Sequence, residues 1–421
     1  MTGLGKADKN RIEELIRGID RFQTGIGSGT TRILFTEPEL QARTYVKEKM
    51  KELGLSITED SAGNIFGTLF GSCSNEAPVW TGSHIDTVPN AGMFDGMAGV
   101  VCGLEALRLI KDSGINHRRN ISVIVYTSEE PTRFGLSCLG SRAMAGVLNI
   151  EDTKLLKDHN GKSLYELLNE VGYNTSEFDK VKKKEGDVFA SVELHIEQNS
   201  RLEKAGLKIG AVRGICAPTN FDVTVRGIQS HAGGTPMTER HDAFMAAAEL
   251  ALRIEDIAKK SESEYITATV GKVDVFPNAV NVIPGEVKLT IDIRSSDMNA
   301  KEAAVEFLCC EAERIRKERG VEIIMRMENH DTPLRCNEHI LGEIHNSCSE
   351  LGIKYLDMIS GPYHDSLFVG RFAPTAMIFV PSKNGISHSE NEWTDFEDLS
   401  IGADVLANTL LKISNLEESE I

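Results

Sequence analysis

Nowhere in this sequence does an uninterrupted apolar run approach the ~20 residues that a bilayer-spanning helix needs. The opening MTGLGKADKNRIEELIRGI has no apolar core bounded by a cleavage site, so an untargeted, cytoplasmic protein is expected. Cysteine is present but unpatterned: the 8 residues include no CxxC and follow no regular spacing, which argues against a disulfide framework and a thiolate zinc site. Most should be small buried hydrophobes. Positive charge is in deficit. With 46 Lys and Arg against 63 Asp and Glu the formal net charge is −17, and long-range repulsion disfavours nucleic acid and anionic membranes as partners. A small-molecule partner is expected instead. There are no internal repeats or low-complexity tracts, and KVKKKEGD at 180–187 reads as a solvated loop.

What the chain does have is apolar material for a large core. At 421 residues and 41% hydrophobic content it exceeds the ~250–300 residues at which single cores stop growing, so two domains are the default. Up to about residue 215, helical patterns (10–22, 39–53, 97–113, 137–148) alternate with short β-branched runs (79–82, 121–127, 189–197). The run ISVIVYT is apolar almost throughout, as expected of a central parallel strand covered on both faces. This pattern predicts an α/β sheet whose site lies beyond the carboxyl ends of its strands. From about 218 to 331 the order becomes strand (NFDVTVRG), helix (242–260), strand (YITATVGKVDVF), strand (GEVKLTIDIRS), helix (301–319), strand (VEIIMRME). That is the β-α-β-β-α-β order of a ferredoxin-like α+β unit. After it the alternation resumes with a helix at 338–351, IKYLDMIS, a helix at 366–371, APTAMIFV and a last helix at 396–413. The expectation is a catalytic domain formed by 1–217 plus 331–421, with 218–330 inserted into it.

In GSHID, His84 and Asp86 stand two residues apart at a predicted strand end, where a period of two turns both side chains the same way. The aspartate can then accept from one imidazole nitrogen and orient the other toward a metal. FDG puts Asp95 directly before the helix MAGVVCGLEALRLI, in a loop whose small residues let carboxylate and backbone approach an ion. A loop histidine with a capping aspartate is the plain alternative. In TSEEPTRFG, Glu129 and Glu130 follow the buried strand. Adjacent carboxylates there repel one another and lose hydration unless a cation or a proton relieves them, so one can bind metal while its neighbour holds a proton. A solvated pair at a helix entry is the alternative. SVELHIEQ alternates so that His195 lies on a polar face, where an ordinary hydrogen-bonded histidine is common, and GISHS puts His388 beyond the strand TAMIFV. Together His84, Asp95, Glu130, His195 and His388 are nitrogen and oxygen ligands without sulfur at one predicted sheet edge. Such a set suits two divalent ions (zinc, manganese or cobalt) sharing a carboxylate, roughly 3.5–4 Å apart.

The motifs GSHIDT, FDG, TSEEPTRFG, ELHIEQ, SHAGGTPM, NVIPG, DIR, YHDS and GISHS, in this order across nearly the whole chain, resemble the M20 metallo-amidohydrolases. The similarity is to the branch of allantoate amidohydrolases, ureidoglycolate amidohydrolases and N-carbamoyl-L-amino acid hydrolases. It implies two metal ions per subunit on those five residues with Asp95 bridging, Glu129 as general base, and Asp86 behind His84. It also implies an inserted domain that serves as lid and dimerisation surface of a homodimer, with His231 stabilising an oxyanion, generally from the partner subunit. Asn281 and Arg294 match groups that hold substrate, and Gln198 a pocket residue. The implied reaction cleaves the terminal ureido or carbamoyl C–N bond of a small carboxylate, releasing ammonia and carbon dioxide. The alternative is an M20-type peptidase or aminoacylase acting on a dipeptide or N-acyl amino acid, although peptidase members usually carry a carboxylate where this chain has His195. A non-catalytic scaffold is disfavoured by the presence of Glu129.

Read from the residues alone, Arg294 is a natural bidentate partner for a substrate carboxylate, but equally for Asp292 or Asp297. His231 within QSHAGG passes for an exposed loop histidine. GPYHDS departs from the Gly-Ala-Gly-His-Asp segment common in allantoate and carbamoyl-amino acid hydrolases. YHDS, EEPTRFG and SCLGSR look like ureidoglycolate amidohydrolases, whereas SHAGGTPMTERHDA is closer to the other two. Tyr363 is expected to narrow the pocket or add a hydroxyl near the substrate carboxylate, and His364 to serve the pocket or to partner Asp365.

Overall fold

The computed structural model describes residues 3–25 and 27–421, which divide into two compact units. The first comprises the chain up to Arg213, Cys336–Met358 and His364–Ile421; the second comprises Gly214–Arg335 with Ile359–Tyr363. The sequence reading assigns 359–363 to the first part. The chain there keeps company with the second unit, because the Cys216 amide donates to the Ser360 carbonyl at 2.8 Å and Tyr265 packs over Gly361.

The main sheet runs in the order Ser56–Glu59, Ile65–Leu69, Ile121–Tyr126, Val79–His84, Ala190–Ile196, Thr375–Val380 and Ile209–Ile215. The four middle strands, from Ile121–Tyr126 to Thr375–Val380, are mutually parallel and buried along their whole length. Burial on both faces explains their β-branched composition, since each fully buried Val or Ile contributes about 1.5–3 kcal/mol. All four point the same way, so the loops leaving their carboxyl ends share one rim. Gly82 lets neighbouring strands approach: its φ is +146° and a Cβ there would lie 2.0 Å from the Ile124 carbonyl oxygen.

The helix Met97–Ser113 is apolar nearly all round and is correspondingly buried, between the strand Val79–His84 and the helix Phe396–Ile413. Its one buried carboxylate, Glu105, is met by Arg11 Nη2 at 2.6 Å and the Asp8 amide at 2.9 Å. The helix expected over 137–148 is shorter, Leu139–Met144. Cys138 enters it at φ +59°, and Gly146 leaves it at φ +70°. The KVKKKEGD tract is not wholly solvated either, because Val181 closes the 3-10 turn Thr175–Val181 and joins a core cluster with Phe178. All 8 cysteines are free, and Cys102, Cys138, Cys216, Cys336 and Cys348 are buried.

The second unit holds a four-stranded antiparallel sheet in the order Glu322–His330, Ala217–Arg226, Glu286–Ser295, Ile266–Phe276. The alternation of NFDVTVR and EVKLTIDIRS explains its two faces. Phe221, Val223, Val225, Val287, Leu289, Ile291 and Ile293 point into a core closed by the helices Ala243–Lys260 and Met298–Arg319. A small ladder pairs Ser230–His231 with Val282–Ile283. Among the described residues no helix is long and apolar enough to cross a membrane.

Candidate metal centre

His84 ends its strand, His195 lies near the end of Ala190–Ile196, Glu130 follows Ile121–Tyr126, and His388 follows Thr375–Val380 and the turn Lys383–Gly385. The parallel strands therefore deliver all four to one rim, where Asp95 meets them from the loop before Met97–Ser113. Donor atoms of His84, Asp95 and His195 lie within 4.8 Å of one another, and so do those of Asp95, Glu130 and His388. Asp95 belongs to both groups. Its Oδ1 is 3.2 Å from His195 Nε2 and 3.9 Å from His84 Nε2, while its Oδ2 is 3.1 Å from His388 Nε2. Glu130 Oε1 is 3.4 Å from His388 Nε2, and Glu129 Oε2 is 3.8 Å from His84 Nε2. All these residues are buried except His388, which is half-exposed. Gly96 makes the crowding feasible: its φ is +69°, and a Cβ there would lie 2.4 Å from His84 Cε1.

Main-chain carbonyls orient two of the imidazoles. Nδ1 of His195 lies 2.9 Å from the Ile196 oxygen and Nδ1 of His84 lies 3.0 Å from the Asp86 oxygen, which leaves each Nε2 turned to Asp95. The Asp86 side chain also faces that ring nitrogen, with its Oδ1 3.7 Å away. The strand ends at His84, so the period of two does not reach Asp86. Its carboxylate accepts from the amides of Glu129 at 3.3 Å and Glu130 at 3.1 Å, fixing the loop that carries both glutamates.

Burial, reinforced by Glu130, pushes Glu129 well above the usual carboxylate range; burial and Asp95 push Glu130 up to about 8. Burial lowers His84 to about 4. Asp95 goes the other way, because hydrogen bonds from His195 and His388 outweigh its burial and hold it well below the usual range. In return Asp95 raises His388 to about 9, and His195 to about 9 against the cost of burying that ring. Clustered carboxylates out of water need protons or a cation, and this sulfur-free donor set fits a divalent metal ion.

Other expected site residues fall into two places. Gln198, at φ +54°, sends Nε2 to Asp95 Oδ2 at 3.0 Å and to Ser387 Oγ at 3.3 Å, while its buried Oε1 has no hydrogen-bond partner among the described residues. His364 is buried edge-on against His195, with ring centroids 4.5 Å apart, and Asp365 accepts from Ser141 Oγ at 2.5 Å. In the second unit the ladder brings His231 beside Asn281, whose carbonyl accepts from the Ala232 amide at 2.9 Å. His231 is exposed, and its Nδ1 accepts from the amides of Gly233 and Gly234, both at 3.0 Å. The neutral ring must then carry its proton on Nε2. Arg294 is engaged by Asp292, at 3.0 Å from Nε and 2.9 Å from Nη2, and the Tyr363 hydroxyl donates to Asp331.

Two buried carboxylates beside the ligands escape a reading of motifs. Glu193 groups with His195 and His364, and accepts from Ser83 Oγ at 2.8 Å and Ser366 Oγ at 2.6 Å. Alternation does put Glu193 on the face of His195, which was a usable signal. Glu392 lies behind Asp95 and Ser387, and only its nearness to His388 in SHSENE hints at it.

The model of peptidase family M20/M25/M40 matches residues 80–412. A ureidoglycolate hydrolase from Oryza sativa subsp. japonica is 40% identical over 411 residues, covering 97% of this chain and 85% of that protein. An N-carbamoyl-L-amino acid amidohydrolase from Geobacillus stearothermophilus is 36% identical over 389 residues, 92% of this chain and 94% of that one. Among solved structures, AtUAH in complex with glyoxylate superposes with a TM-score of 0.85 at 38% identity, over 98% of this chain and 99% of that chain.

Proposed function

Because the chain belongs to peptidase family M20/M25/M40, we propose that it is a metal-dependent amidohydrolase that cleaves the terminal ureido or carbamoyl C–N bond of a small carboxylate. Ureidoglycolate is the leading substrate, ahead of allantoate and N-carbamoyl-L-amino acids. The observation that carries the reading is the carboxylate of Asp95, which serves two donor groups at once beside the buried acid Glu129. His84, Asp95 and His195 would hold one divalent ion and Asp95, Glu130 and His388 a second, with zinc, manganese and cobalt all compatible with the donors. When bound, such ions supply Lewis acidity, polarising a carbonyl and making water a stronger acid.

Glu129 takes the proton of the attacking water and returns it to the departing nitrogen. Burial, reinforced by Glu130, strengthens its hold on a proton. Asp86 keeps Glu129 and Glu130 in register through their amides. His231 offers Nε2–H to the oxyanion, a role that its two glycine amide bonds preset. In the second unit Arg294 exchanges Asp292 for the substrate carboxylate, with Asn281 and Tyr363 as further substrate contacts; in the first, Gln198 and His364 are the pocket residues beside the metal ligands. Ammonia and a carbamate that decays to carbon dioxide are the first products.

The active species is a homodimer in which His231 serves the partner's metal centre. Two features support the association: the strand Ile266–Phe276 has an open edge, and beside it a groove of about 570 Å³ is lined by Phe244, Ala248, Ala251, Leu252 and Val273. Free thiols throughout suit a cytoplasmic setting. The test is ammonia release by metal-reconstituted protein on ureidoglycolate, allantoate, several N-carbamoyl-L-amino acids and a dipeptide panel. Ureidoglycolate should react fastest and yield a second ammonia, because the hydroxyglycine left behind collapses to glyoxylate. Amino-acid release from dipeptides without ammonia would favour a peptidase.

A further inference from the structure

We propose that Glu392 is a positioning residue that clamps the Asp95 loop to the His388 loop, so that donors from distant parts of the chain are set before a cation arrives. The inference rests on the reading of Asp95 and His388 as ligands. Glu392 is 3% exposed. Its Oε1 accepts from the amides of Phe94 at 3.0 Å and Asp95 at 3.1 Å, and its Oε2 accepts from Ser387 Oγ at 2.8 Å. One carboxylate thus holds the peptide that presents Asp95 and the residue preceding His388. The Asp95 loop wraps closely around it: a Cβ on Gly92 would lie 2.4 Å from Glu392 Cβ and 2.5 Å from its Oε1. The next residue, Trp393, packs edge-on against Phe94 with centroids 5.2 Å apart, so the two loops are joined by apolar contact as well.

Ser387 and Gln198 extend the clamp to the shared oxygen. Ser387 Oγ is 3.2 Å and Gln198 Nε2 is 3.0 Å from Asp95 Oδ2. Glu392 belongs to none of the donor groups found among the described residues, and both its oxygens are occupied by protein donors. It therefore acts through Asp95 and His388. Bonds from two consecutive amides to one oxygen fix a loop in angle as well as distance, and partners of this kind are typically worth about 10–100-fold in metal affinity.

The test uses full-length protein freed of metal by a chelator and titrated with Zn²⁺ or Mn²⁺ against a chromophoric competitor, with circular dichroism as the check of fold. Glu392→Gln keeps the reach and loses the charge: its Oε1 can serve both amides and its Nε2 can donate to Ser387. It should bind metal nearly as well as wild type. Glu392→Asp keeps the charge but is one methylene short, and should bind about 10–100-fold more weakly with an unchanged spectrum. Glu392→Asp at wild-type affinity, or Glu392→Gln as weak as Glu392→Asp, overturns the clamp. Wild-type protein that takes up no metal removes the ligand reading and the clamp together, whatever the variants do.

Discussion

Nε2 of His388 lies 3.1 Å from Oδ2 of Asp95, although one residue sits ahead of the first helix of the site and the other near the far end of the chain. The opposite oxygen of Asp95 faces His195 at 3.2 Å. A carboxylate used on both sides in this way offers one oxygen to each of two donor groups, as the proposed two-ion site requires. The same arrangement leaves Glu129 outside both donor groups, adjacent to them and buried, in the place of the proton carrier we propose.

Glu129→Gln preserves shape and removes the base. Metal content by elemental analysis should match wild type, while turnover falls by about 10²–10⁴-fold, the usual worth of a positioned general base. Unchanged turnover would eliminate Glu129 as the proton carrier.

Metal uptake should expel protons. In the metal-free chain His195 and His388 titrate at about 9 and Glu130 at about 8, so all three are largely protonated at neutral pH. Ligation requires neutral imidazole and ionised carboxylate, so the bound protons compete with the cation. Affinity should therefore rise with pH until these groups have titrated. Calorimetry in buffers of different ionisation heat should give different apparent enthalpies; a buffer-independent enthalpy would contradict this.

His231 acting across a dimer predicts complementation. Protein carrying His231→Ala and protein carrying His195→Ala, each inactive alone, should recover activity when mixed under conditions that exchange subunits, because one of the mixed sites has both intact parts. Absence of any recovery in verified heterodimers would place His231 in its own subunit's site.

Much of the grouping of these candidate ligands was legible because they lie at or just beyond the ends of continuous apolar strands. VWTGSH, ISVIVY, ASVELHI and TAMIFV announce themselves by composition, and parallel packing does the rest. What escaped is what the third dimension supplies. The bonds from the Glu129 and Glu130 amides to the Asp86 carboxylate join loops that lie more than forty residues apart in the chain. Glu392 stayed hidden because its partners, Phe94 and Asp95, are close only after the chain has folded. Arg294 could be read as a substrate ligand or an ion-pair partner, and in the fold its guanidinium is met by Asp292.

The most direct test of the shared carboxylate is metal stoichiometry after chelation and reconstitution with Mn²⁺ or Zn²⁺, measured by elemental analysis on wild type, Asp95→Ala and His388→Ala. Wild type should hold two ions per chain. His388→Ala should weaken chiefly one of them, and Asp95→Ala should lose both. An Asp95→Ala protein that retains the wild-type metal content would contradict the account.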